Sequence, residues 1–163
     1  MLDIPSISAI VAAVGVLVGV GLTVLELRHL VKQRQTDVII KLSSDISTNK
    51  EFVEAVVNIL QAQFKDYDDF VKKYGEPISK NEVSLSFIMI GSFYEQIGVL
   101  LKKGLVDIDV MIDLFPIEIM WEKLKPLVEG MRKQTNVPGY FEWFEYLYNE
   151  IKKRQQKLQQ KGV

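Results

Sequence analysis

Few side chains in this sequence are equipped for chemistry. Cysteine is absent and His29 is the lone imidazole, which excludes a thiolate nucleophile, a Cys-ligated zinc, a disulfide framework and a His-rich metal site or relay. The acid that stands out is Glu95. It belongs to a stripe at helical spacing, Ser84, Ile88, Gly91, Glu95, Gly98 and Lys102, and two glycines a heptad apart leave a groove into which a neighbour can press. A carboxylate between them is expected to be partly buried and to need a cation or several hydrogen bonds. Arg34 and Arg132 are the candidate partners for a structural ion pair with it. Acid–base catalysis would need a second group beside Glu95, and Tyr94 or Asp66 would have to supply it. No spacing pairs them, so no catalytic residue and no cofactor are assigned, and the chain is read as non-enzymatic. Asp66, Asp68 and Asp69 form a second acid cluster. They lack the following glycine and distal glutamate of a calcium loop, so they read as a helix start and no metal site is assigned.

The elements that must carry these residues begin with an anchor. The 163 residues suit one ordinary domain, but the run from Ile7 to Leu25 contains no charge and two hydroxyls. As a helix it spans roughly 28 Å, against about 30 Å for a bilayer's hydrocarbon core. A single transmembrane helix is expected, with residues 1–27 as the anchor. The chain opens Met-Leu-Asp-Ile-Pro-Ser and the apolar run ends in Leu-Glu-Leu-Arg-His, flanks unlike those of a cleaved signal peptide. A buried core helix would show a polar stripe, and none arrives before Glu26. Arg28, Lys32 and Arg34 follow the span while Asp3 precedes it. The positive-inside rule then predicts a single-pass protein of the cell membrane, with the N-terminus outside and the C-terminal domain cytoplasmic. Within the span, Ser8, Ala12, Gly15 and Gly19 recur at fours and threes, a small-residue face on which a second copy or another membrane protein could pack.

No Gly or Pro occurs between Leu22 and Tyr74, so the helix is expected to continue as a juxtamembrane stalk over residues 28–47. Leu27, Val31, Val38 and Leu42 are its expected docking stripe. Ser43 to Asn49 reads as a break, and Thr48 with Glu51 as a capping box opening the next helix. Residues 48–150 then read as a bundle of about five helices. Phe52, Val56, Ile59, Leu60 and Phe64 form the first apolar side; a short helix from Asp66 ends at Gly75; Ser79 with Glu82 opens a third helix, with Val83, Phe87, Ile90, Tyr94, Ile97 and Leu101 inward. Asp107 is expected to cap a brief helix through Leu114. After Pro116, Ile117, Met120, Trp121, Leu124, Val128 and Met131 share one side, and Pro126 is expected to kink or split that helix. Asn136 to Gly139 reads as a turn. The last helix turns Tyr140, Trp143, Phe144, Leu147 and Ile151 to the core, with Phe141 and Tyr148 widening the stripe.

Charge is uneven along the chain. Residues 36–150 hold 19 acids and 12 bases, whereas residues 151–163 hold Lys152, Lys153, Arg154, Lys157 and Lys161 and no acid. This basic helical tail is a candidate contact for anionic lipid or an acidic partner. The acidic body argues against nucleic acid as a partner.

The order of these signals carries a resemblance: Leu25-Glu26-Leu27-Arg28 closing the apolar run, the segment Phe93 to Gly104, Trp121 to Pro126, and the aromatic run Phe141 to Leu147. The chain resembles a family of small prokaryotic, often archaeal, single-span membrane proteins with a helical domain of unknown function. The resemblance covers nearly the whole chain and implies an anchor followed by a helical domain; it implies no activity, substrate or catalytic residue. The expected fold is all-α: one N-terminal transmembrane helix, a stalk and a cytoplasmic helical bundle. The expected function is that of an accessory or scaffolding subunit of a membrane protein assembly, in contact with the bilayer. The alternative is a membrane-surface sensor or anionic-lipid-binding module using the basic tail.

Overall fold

The structure, a computed structural model, describes residues 4–160, with side chains over 12–44 and 46–160. The side chain of Ser8 and the whole of Lys161 therefore lie outside the described residues. Among the described residues there are seven helices and no strand: α1 (Ile4–Thr48), α2 (Lys50–Gln61), α3 (Tyr67–Tyr74), α4 (Glu82–Lys102), α5 (Ile108–Leu114), α6 (Ile117–Thr135) and α7 (Glu142–Gln160). The all-α expectation holds, with six helices following the long first one rather than about five.

α1 is 45 residues long, about 68 Å at 1.5 Å per residue. The expected break from Ser43 to Asn49 shrinks to Asn49 alone, because the hydroxyls of Ser47 and Thr48 turn back to donate to the Ser44 carbonyl, each at 3.0 Å. Hydroxyls used in this way satisfy the helix from within. The cap of α2 passes to Asn49, whose Oδ1 accepts the Phe52 amide at 3.0 Å. A similar displacement occurs at α4. Asn81, not Ser79, is its cap and accepts the Ser84 amide at 2.9 Å. Its Nδ2 donates to the Tyr74 carbonyl at 2.5 Å and to Ser79 Oγ, stitching the end of α3 to the start of α4. Asp66 and Asp107 cap α3 and α5 as expected, accepting the amides of Asp69 and Asp109.

The core lies among α2, α4, α6 and α7, and α4 packs most widely on α7 and α2. Phe87, Ile90, Tyr94 and Ile97 of α4 are buried, and the six expected inward residues of α6 are all buried. α6 does not split at Pro126. It runs through that residue as one helix, held by buried Trp121 and Leu124 before it and by Leu127, Val128 and Met131 after it. Packing on both sides of the proline offsets the missing amide bond, a loss of roughly 3 kcal/mol. α7 begins at Glu142, so Tyr140 belongs to the preceding turn; Phe144, Leu147 and Ile151 reach the core as expected.

Among the described residues, α1 meets the bundle mainly toward its C-terminal end, against α2 and α5. Ile39 is 1% exposed and Leu42 is partly buried against the core, while Gln35 Nε2 donates to the Gly104 carbonyl at 2.6 Å. The docking face therefore runs through Gln35, Ile39 and Leu42. Of the expected stripe, Leu27, Val31 and Val38 are exposed. Leu27 and Val31 lie along the docking face but past the end of the bundle, and Val38 is turned one position away from it.

Among the described residues, two helices are long and apolar enough to cross a membrane. The apolar window of α1 has mean hydropathy 1.7 and none of it is buried; that of α4 has 1.4 and is 44% buried. α4 is thus a core helix of the bundle, and the free half of α1 is the candidate span.

Candidate functional site

The groove read from Gly91, Glu95 and Gly98 is real, and its occupant is the start of α7. A Cβ on Gly91 would stand 2.6 Å from the Phe141 ring, and one on Gly98 would stand 2.0 Å from the carbonyl oxygen of Trp143. Only glycine at position 98 allows this approach of chain to helix. Phe141 takes a left-handed conformation, φ 53°, as the chain turns into α7. Glu95, between the glycines, accepts the amide of Phe144 at 2.9 Å. The amide of Trp143 bonds it as well. A carboxylate on α4 therefore meets the first-turn amides of α7, donors that no residue inside a helix can satisfy.

Arg132 of α6 holds the same corner from the other side. Its Nε donates to the Tyr140 carbonyl at 2.9 Å and its Nη1 pairs with Glu145 at 2.6 Å, while Nη2 is buried without a hydrogen-bond partner among the described residues. Of the two cations expected to pair with Glu95, Arg132 acts on it through space and makes its direct ion pair with Glu145; Arg34 is exposed on α1. Burial pushes the Glu95 carboxyl above its ordinary pKa and the nearby Glu142 adds to this, against the pull of the Phe144 and Trp143 amides and of Arg132. Burial also pushes the Tyr94 phenol up, and its ring stacks on Phe144 with centroids 4.6 Å apart. Asp66 stands elsewhere, in a hollow with Tyr67, Glu129 and Lys133, while Glu95 borders one with Phe87, Met131 and Tyr140. The structure does not bring Glu95 and Asp66 together.

On α1 the small-residue face is open. A Cβ on Gly15 or Gly19 would meet nothing within 4 Å, and Ala12 is exposed.

The described part of the basic tail, 151–160, is the C-terminal part of α7, and Lys152 and Arg154 reach acids of other helices. Arg154 grips Asp109 of α5 with two bonds, at 2.7 and 2.8 Å. Lys152 pairs with Glu118 of α6, and Lys153 with Glu150 at 2.8 Å. The hydrogen bonds from Arg154 and Lys152 hold the Asp109 and Glu118 carboxyls below their usual range. Lys157 is exposed. The sequence displayed these charges but not the fold that pairs them. It also left Gly130 unremarked, where a Cβ would stand 2.1 Å from Tyr67 Cβ; an isolated glycine in a helical pattern is the signal for such a contact.

Residues 9–151 match the family described as a domain of unknown function, DUF4760, and the chain belongs to that family. Comparison with functionally described proteins and with solved structures yields no match.

Proposed function

We propose that this chain is a single-span, membrane-anchored, non-enzymatic protein that serves as an accessory or scaffolding subunit of a membrane protein assembly. The observation that carries the reading is the free half of α1. Val16, Leu17, Val20 and Leu22 are each more than half exposed, and the helix bearing them continues without a break to the residues that dock on the bundle. Fully burying a Val or Leu side chain contributes roughly 1.5–3 kcal/mol, so a helix that leaves its apolar residues from Val14 to Leu25 uncovered calls for a bilayer around it. Arg28, Lys32 and Arg34 beyond the apolar run support a cytoplasmic bundle. Gly15 and Gly19 supply a face for a second copy or another membrane protein. Glu95 supports the non-enzymatic reading, since the acid best placed for chemistry is engaged in capping α7. The acidic body gives nucleic acid no purchase.

The anchor is tested by washing native membranes at alkaline pH and by protease treatment of inverted vesicles. The chain is expected in the pellet, with its bundle digested in inverted vesicles and protected in intact cells. Release into the wash contradicts the anchor; the opposite digestion pattern contradicts the orientation.

A further inference from the structure

Where α1 leaves the bundle, a notch of about 390 Å³ opens between it and the loop before α5. Its apolar wall is Val24, Leu27 and Val31, exposed by 42, 56 and 55%. Arg28 and Lys32, one turn apart on the same wall, line it too, and Gln35 closes the bottom through its bond to the Gly104 carbonyl. Asp107 faces them from the α5 side, its Oδ1 already accepting the Asp109 amide at 2.8 Å. Neither Arg28 nor Lys32 makes an ion pair with a described residue.

We propose that this notch holds one anionic phospholipid, its phosphate on Arg28 and Lys32 and the upper part of its acyl chain along Val24 and Leu27. The inference rests on the reading of α1 as the membrane anchor. With the apolar run ending at Leu25, Arg28 stands about 4.5 Å and Lys32 about 10 Å further along the axis, against a headgroup layer roughly 5–7 Å deep on each side. Both side chains are long enough to reach up to that level while their stems cover apolar surface. Leu27 would otherwise stand uncovered among headgroups, and the glycerol and first methylenes of a lipid cover it. Charge selects the lipid class. Of the charged residues lining the notch, Arg28 and Lys32 stand against Asp107. Two cations against one acid leave one positive charge, which matches a singly anionic headgroup and not a zwitterionic one.

The test uses the full-length protein in detergent, titrated with phosphatidylglycerol and followed by native mass spectrometry, with phosphatidylcholine as competitor. Wild type, Arg28→Gln/Lys32→Gln and Arg34→Gln are compared. The wild type is expected to keep one phosphatidylglycerol against excess phosphatidylcholine. The double variant should bind it roughly thirtyfold more weakly, two surface charges being lost, and Arg34→Gln should match the wild type. Equal retention by the double variant, equal binding of the two lipids, or displacement of the lipid by inorganic phosphate would overturn the proposal. Both replaced side chains sit on a helix face clear of the core, so unchanged melting of the bundle is the control for folding. Loss of the chain from alkaline-washed membranes would instead overturn the anchor, a separate readout from lipid selectivity.

Discussion

Glu95 of α4 and Phe144 of α7 are joined by a hydrogen bond of 2.9 Å, from main-chain amide to carboxylate, so that one helix caps another. A cap supplied by its own chain neighbours would fix the start of α7 wherever the helix lay. A cap supplied by α4 fixes it only when the two glycines of α4 admit the Phe141–Trp143 turn. Seating and capping of α7 are thus a single event.

Replacing Glu95 by Ala should cost about 1–2 kcal/mol, the usual loss on removing a cap, while Gln keeps an acceptor oxygen and should cost less. The pH dependence follows from the raised carboxyl pKa. Folding takes up a proton there, so the contribution of Glu95 is complete below the ordinary value of 4.5 and is lost as pH rises through the folded value. Denaturation of the full chain in micelles across this range should show stability shifting in favour of Glu95→Gln, relative to wild type, as pH rises. A difference independent of pH would contradict the burial of this carboxyl.

Gly98→Ala should be more damaging than Gly91→Ala. The first sets a Cβ against the Trp143 main chain and the second against the tip of the Phe141 ring, and a ring can swing where a carbonyl cannot. Overpacking typically costs about 1–3 kcal/mol, and Gly98→Ala should fall at the upper end. Melting temperatures of the two variants decide it; equal losses would mean that α7 shifts as readily as a side chain.

Asn81→Asp isolates what the start of α4 requires. Asp caps helices about as well as Asn, but here the amide nitrogen also donates to the Tyr74 carbonyl and to Ser79. The substitution places a carboxylate against a carbonyl oxygen and should destabilise by about 1–3 kcal/mol. A neutral outcome in chemical denaturation would reduce the residue to a simple cap.

Asp109→Asn should loosen the end of α7 without unfolding the bundle. The expected result is faster amide exchange over 152–160, with α4 and α6 unchanged. Asp109 and Glu118 have lowered carboxyl pKa values, so their hold on Arg154 and Lys152 is present above the ordinary values of 3.8 and 4.5 and is lost as pH falls through the folded ones. After correction for intrinsic rates, protection of this segment should therefore persist in mild acid. Early loss near neutrality would contradict the pairing.

Much of the bundle was legible because periodicity states which face of a helix is apolar: the buried residues of α4 and α6 fall where a 3.6-residue repeat places them. The groove at Gly91 and Gly98 was legible for a similar reason, since small residues on one face invite a neighbour. The identity of the neighbour was not, because Phe144 is 49 positions from Glu95 and amides carry no side-chain signal. The pairing of the tail was hidden in the same way. Arg154 meets an acid 45 positions back, so a run of bases that reads as a free surface is partly neutralised by the fold. Leu27 and Val31 show a further limit, for periodicity gives their face but not where along α1 the bundle ends. Thr48 and Ser79 each stood within two residues of the true cap, where an asparagine outcompeted a hydroxyl.

The most direct test of the subunit reading is the mass of the full-length protein extracted gently from its native membrane, beside a Gly15→Ile/Gly19→Ile variant. A complex larger than the monomer that falls apart in the variant is the expected result, with α1 as the docking helix. A monomer in both, or an assembly that survives both substitutions, would contradict it.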